Sequence, residues 1–105
     1  MMKHFDILII GNLKNAAFAF LTIRAASQYN ISGFVGYTAD KNIFIEAEGY
    51  DQQLEKFIEW CKKEKSGAEI KKVITKNGKI QNYKTFEMEI NEMEIRNWQS
   101  AINDN

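Results

Sequence analysis

Side chains suited to nucleophilic, acid–base or metal chemistry are few in this sequence, and their spacing narrows the options further. His4 is the only histidine, so one chain cannot build a histidine pair, a histidine–cysteine nucleophile or a multi-histidine metal site. It reads as an edge or surface residue near the first strand. Cys61, the single cysteine, cannot form an internal disulfide and shares a helical spacing with Leu54, Phe57 and Ile58. With no histidine near it in sequence, it reads as a buried structural thiol. Glu46, Glu48, Glu87 and Glu89 recur with a period of two, which reads as the solvent face of a half-buried sheet. Spacings for a P-loop, a dinucleotide fingerprint or an EF-hand are absent, and neither a metal nor a cofactor is expected.

The elements that position these residues follow from period and punctuation. Residues 5–10 are rich in Ile and Leu and stop at Gly11, which predicts a first strand. Residues 16–29 lack Gly and Pro, are rich in Ala and have Asn15 as a cap, which predicts a helix. Residues 31–38 and 43–48 are extended segments joined by Ala39-Asp40-Lys41-Asn42 in a hairpin. Asp51 is placed to cap a second helix reaching about residue 65, with Leu54, Phe57, Ile58 and Cys61 inward. Residues 70–75 form another strand, Asn77-Gly78 predicts a tight hairpin turn, and Phe86, Met88 and Ile90 alternate with Glu87 and Glu89 in a last strand.

The order βαββαβ predicts an α+β, ferredoxin-like split βαβ sandwich, an antiparallel sheet with two helices on one face. Past Ile90, Asn91-Glu92-Met93-Glu94 has the spacing of a capping box, and Ile95, Trp98 and Ile102 share a helical face. A short C-terminal helix follows, so the expected organisation is a domain over residues 1–90 and a helical extension over 91–105.

A chain of 105 residues with 45% apolar side chains can bury one core, as expected for a single domain. Fourteen basic and fourteen acidic residues cancel, and without a run of one sign neither nucleic acid nor an anionic membrane is an expected partner. Asp6 interrupts the apolar N-terminal stretch and no small-residue cleavage site follows it, so no signal peptide or membrane span is expected and a cytoplasmic location is.

Gly11, Phe18, Gly33-Phe34-Val35, Glu46-Ala47-Glu48-Gly49, Phe57-Ile58-Glu59-Trp60 and Tyr83-Lys84-Thr85-Phe86-Glu87 together resemble an acylphosphatase, over roughly residues 5–90. The resemblance implies hydrolysis of carboxyl-phosphate anhydrides. An arginine and the backbone N–H groups of the first loop would hold the phosphoryl group, and an asparagine would position the attacking water. It assigns the anion loop to Gly11-Asn12-Leu13-Lys14-Asn15-Ala16-Ala17-Phe18, the arginine position to Ala19 and the asparagine position to Tyr37. Neither residue supplies the required group, and Asn15 stands where the family usually has glycine, so no catalytic residue is expected at these positions.

The leading expectation is therefore an acylphosphatase-like domain without significant hydrolase activity, acting as a binding or protein-interaction module. Residues 16–21 form an apolar run longer than one buried helix face absorbs, so surface around Ala19 or Phe20, helped by Trp98, is expected to be an interface for self-association or a protein partner. The alternative is a hydrolase that uses Lys14 and the loop amides, with a small anion in the first loop. A third reading, a sheet that binds a small regulatory ligand, rests on analogy of fold.

Overall fold

Alternation along the first strand sets the two faces of the molecule. In β1 (Met2–Asn12), Phe5, Ile7 and Ile9 point into the main core, whereas Leu8 packs with Phe44, Phe34 and Ile74 on the opposite face. The structure, a computed structural model, describes residues 1–13, 17–63 and 67–93, with the side chains of residues 92 and 93 excepted. Lys14, Asn15, Ala16 and the expected C-terminal helix with Trp98 lie outside the described residues.

The remaining elements are α1 (Ala17–Gln28), β2 (Ser32–Thr38), β3 (Ile43–Tyr50), α2 (Asp51–Lys62), β4 (Glu69–Gly78) and β5 (Phe86–Met93). They form one sheet in the order β4-β1-β3-β2-β5. Helix α1 contributes Phe18, Ala19, Ala25 and Ala26 to the core, and α2 contributes Leu54, Phe57 and Cys61, all against the same sheet face. The α+β ferredoxin-like sandwich is thus present, with the thiol of Cys61 buried as expected. The β2–β3 hairpin closes through Thr38 and Asn42, and Lys41 takes φ 67° at its tip.

Several local expectations are corrected. The sheet has five strands and is mixed, because β5 runs parallel to β2. Asn77-Gly78 makes no hairpin: both residues belong to β4 and lie opposite Phe5 and His4 of β1. A tight turn needs its flanking strands to pair with each other, yet β4 and β5 occupy opposite edges. Asn91 and its two successors continue β5 rather than starting a helix cap. Asp51 is the first residue of α2, where Tyr50 is the N-cap without a side-chain cap bond. Its carboxylate instead meets Lys3 Nζ at 3.1 Å, an exposed pair that adds little to stability.

The segment 79–85 has to cross the open sheet face to join the two edges. Four strand spacings of roughly 4.8 Å make about 19 Å, and seven residues reach about 25 Å at full extension. The strap therefore has about 6 Å to spare, less than two residues' reach. Along it, the backbone N–H groups of Gln81 and Tyr83 donate to Glu48, and the Tyr83 hydroxyl donates to Glu46 Oε1 at 2.6 Å.

Candidate functional site

Strand β1 ends where a register shift separates Ile10 from Gly11. A Cβ on Gly11 would sit 2.0 Å from the carbonyl oxygen of Glu69, so glycine here lets β4 cross closely at the bulge. The Gly11 N–H donates to Asn42 Oδ1 at 3.4 Å, and Asn42 is itself held by the Thr38 hydroxyl at 3.1 Å. Leu13 is buried, and α1 begins at Ala17. Phe18 is also buried, with its ring 6.0 Å from that of Trp60.

A period of 3.6 carries Phe18, Ala19, Thr22, Ala25 and Ala26 to the inward stripe of α1. Ala19 is fully buried, which corrects the expectation that it forms exposed interface surface. Phe20, about 100° further round the helix, is 64% exposed. Tyr37 points to the same core from β2. Its hydroxyl oxygen is buried and has no hydrogen-bond partner of ordinary geometry among the described residues. Burial pushes the phenol above its ordinary 10.0, and the backbone of Ala19 offsets part of that rise. The two positions singled out by the resemblance are therefore neighbours in space, at the first turn of α1, where backbone N–H groups lack intrahelical partners. Between them they present a methyl group and a neutral phenol.

On the other sheet face lies a polar cluster that sequence reading missed. His4, expected at an edge or on the surface, is 4% exposed and lies on an inner strand, between β4 and β3. Its Nδ1 lies 2.7 Å from Glu48 Oε2 and its Nε2 lies 2.8 Å from Asp6 Oδ1. Glu46 Oε1 is 3.5 Å from the same Nε2. Glu48 is completely buried rather than on a solvent face, and Glu46 is largely covered. The strap is the physical reason, since it roofs a face that strand periodicity alone leaves open. A signal was present in the alternation of His4, Asp6 and Leu8 with the core residues of β1, which places two polar groups beside an apolar one on a second covered face.

Burial alone would lower the pKa of His4, but hydrogen bonds to Glu48 and Asp6 and the charges of Asp6 and Glu46 outweigh it and hold the ring above 6.5. Burial likewise pushes Glu48 up, and the Gln81, His4 and Tyr83 donors outweigh it, leaving the carboxyl below 4.5. Tyr83 is driven well above its ordinary range by burial, its bond to Glu46 and the surrounding carboxylates.

Comparison with known proteins agrees with the fold. The family model for acylphosphatase matches residues 5–88. An acylphosphatase of Archaeoglobus fulgidus is 31% identical over 83 residues, covering 79% of this chain and 93% of the relative. One from Ligilactobacillus salivarius is 28% identical over 86 residues, covering 81% and 96%. The solved acylphosphatase from Bacillus subtilis is similar at a TM-score of 0.78 over 84% of this chain and 98% of its own; its 19% identity speaks for the fold. With the match spanning β1 to β5, this chain belongs to the acylphosphatase family.

Proposed function

We propose that this chain is an acylphosphatase-fold binding module that does not hydrolyse acyl phosphates at an enzymatic rate. One observation carries the reading: the fully buried Ala19 methyl and the buried Tyr37 hydroxyl meet where the resemblance calls for a guanidinium and a carboxamide. Phosphoryl transfer asks a protein chiefly for positioning and charge stabilisation. Losing one preorganised donor costs about 10²–10³ in rate. Two losses are not simply multiplied, yet together they leave turnover near background. The surface assigned to binding is the exposed ring of Phe20 beside this filled site, with a second copy of the chain as the partner.

The test is hydrolysis of acetyl phosphate by the native chain and by Ala19→Arg/Tyr37→Asn. Background rates are expected from the native protein, and turnover of about 10 s⁻¹ or more would overturn the reading. A slow native rate abolished by Lys14→Ala would assign residual hydrolysis to that ammonium instead. Sedimentation velocity on native and Phe20→Ser protein reads the partner: concentration-dependent association lost in the variant is expected, and a strict monomer removes self-association.

A further inference from the structure

We propose that His4, Asp6 and Glu46 form a binding site for a divalent transition-metal ion beneath the strap. The cluster lies on the opposite sheet face from Ala19 and Tyr37, so the proposal is independent of the function proposed above. His4 Nε2 and one carboxylate oxygen from each of Asp6 and Glu46 all lie within 4.8 Å of one another.

The orientation of the imidazole carries the argument. Glu48 accepts the backbone N–H groups of Gln81 and Tyr83 and also faces His4 Nδ1 at 2.7 Å. An ionised carboxylate only accepts, so Nδ1 carries the hydrogen and donates. Nε2 then confronts oxygens of two carboxylates at 2.8 and 3.5 Å. A bare nitrogen lone pair against those oxygens is repulsive, so the position demands a cation, either a proton or a metal ion. The outer contacts of a metal centre are already in place, with Glu48 orienting the histidine and the Tyr83 hydroxyl holding Glu46 at 2.6 Å. Such partners normally fix the tautomer and ring plane of a ligating histidine.

Space and access are also present. A Cβ on Gly78 would lie 2.6 Å from Cδ2 and 3.1 Å from Nε2 of His4, so only glycine leaves that flank of the ring free. A surface cavity of about 180 Å³, lined by Met2, Lys3, His4, Asn77, Gly78 and Ile80, reaches the His4 side of the cluster, while Asp6 and Glu46 lie outside its lining. The Asp6 and Glu46 side chains are 29% and 23% exposed, enough for ion exchange, and Lys76 stands opposite Asp6 on β4 at the rim. Tetrahedral Zn²⁺ with bonds of roughly 2.0–2.1 Å needs ligand atoms about 3.4 Å apart. The Glu46 spacing already fits, and Asp6 has to withdraw by about half an ångström, leaving a fourth position for water. An imidazole among the ligands favours zinc over magnesium or calcium, which prefer oxygen alone.

The experiment is Zn²⁺ titration of the chelator-stripped full chain by calorimetry, with the His4 ring followed by NMR. One ion per chain is expected, with His4 resonances moving in step with uptake. Asp6→Asn and Glu46→Gln should each weaken binding by about tenfold or more, and Tyr83→Phe by about tenfold. Glu59→Gln on the exposed side of α2 should leave it unchanged. No saturable uptake up to Zn²⁺ concentrations on the order of 100 µM overturns the proposal. So does uptake that leaves the His4 resonances in place or is the same in the two carboxylate variants.

Discussion

At the Tyr37 hydroxyl, a buried oxygen lacks a partner of ordinary geometry among the described residues. Deleting an unsatisfied buried hydroxyl while keeping the ring removes a desolvation cost without opening a large cavity. Tyr37→Phe is therefore expected to leave stability unchanged or raise it by up to about 1 kcal/mol, read as a shift in the urea midpoint. A loss of more than that would mean the phenol is bonded to the first turn of α1. Ala19 gives the complementary lesson, because a buried methyl on the inward stripe tolerates little added volume. An arginine there has to leave the core, so the double variant used for activity also reports whether this helix can still open an anion site.

The strap and the strand it feeds decide what happens at the scale of elements. Helices, the first three strands and the β2–β3 hairpin were legible in the sequence, because their apolar periods and punctuation agree with the pairing they adopt. Asn77-Gly78 misled because turn chemistry is local, whereas the β4–β1 ladder that absorbs both residues depends on a strand some seventy positions earlier. His4, Glu46 and Glu48 misled for the same reason: period two tells which side chains share a face but not what later covers it. The resemblance located the end of β1 near Gly11 and the start of α1 near Phe18, and the adjacency of Ala19 and Tyr37 followed from the α1–β2 packing.

For the molecule as a whole, the polar cluster ties stability to pH. His4 on β1 is faced by Asp6 on its own strand, Glu46 and Glu48 on β3 and Tyr83 from the strap, with Lys76 opposite Asp6 on β4. Because the ring is held above 6.5, its contribution is complete below that pH and is lost as pH rises through the folded value. Because Glu48 is held below 4.5, its contribution is complete above that pH and is lost as pH falls through the folded value. Both act together between about 4.5 and 6.5. The metal-free chain is therefore expected to show its highest urea midpoint near pH 5.5, falling on either side. A midpoint that climbs steadily from there to pH 8 would contradict the pairing described.

A connector this taut turns its residue count into a measured length. Removing one residue from 79–85 withdraws about 3.5 Å of reach and leaves only about 2–3 Å over the direct span, so the strap must straighten and give up bonds from Gln81 and Tyr83 to Glu48 and Glu46. Adding one glycine costs only the small entropy of a longer closure, a fraction of a kcal/mol. Paired melting curves of a Lys84 deletion and a single-glycine insertion beside it should differ by several degrees in favour of the insertion, and equal losses would mean the crossing carries slack. Shortening the bridge is then costlier than lengthening it, whatever amino acids build it.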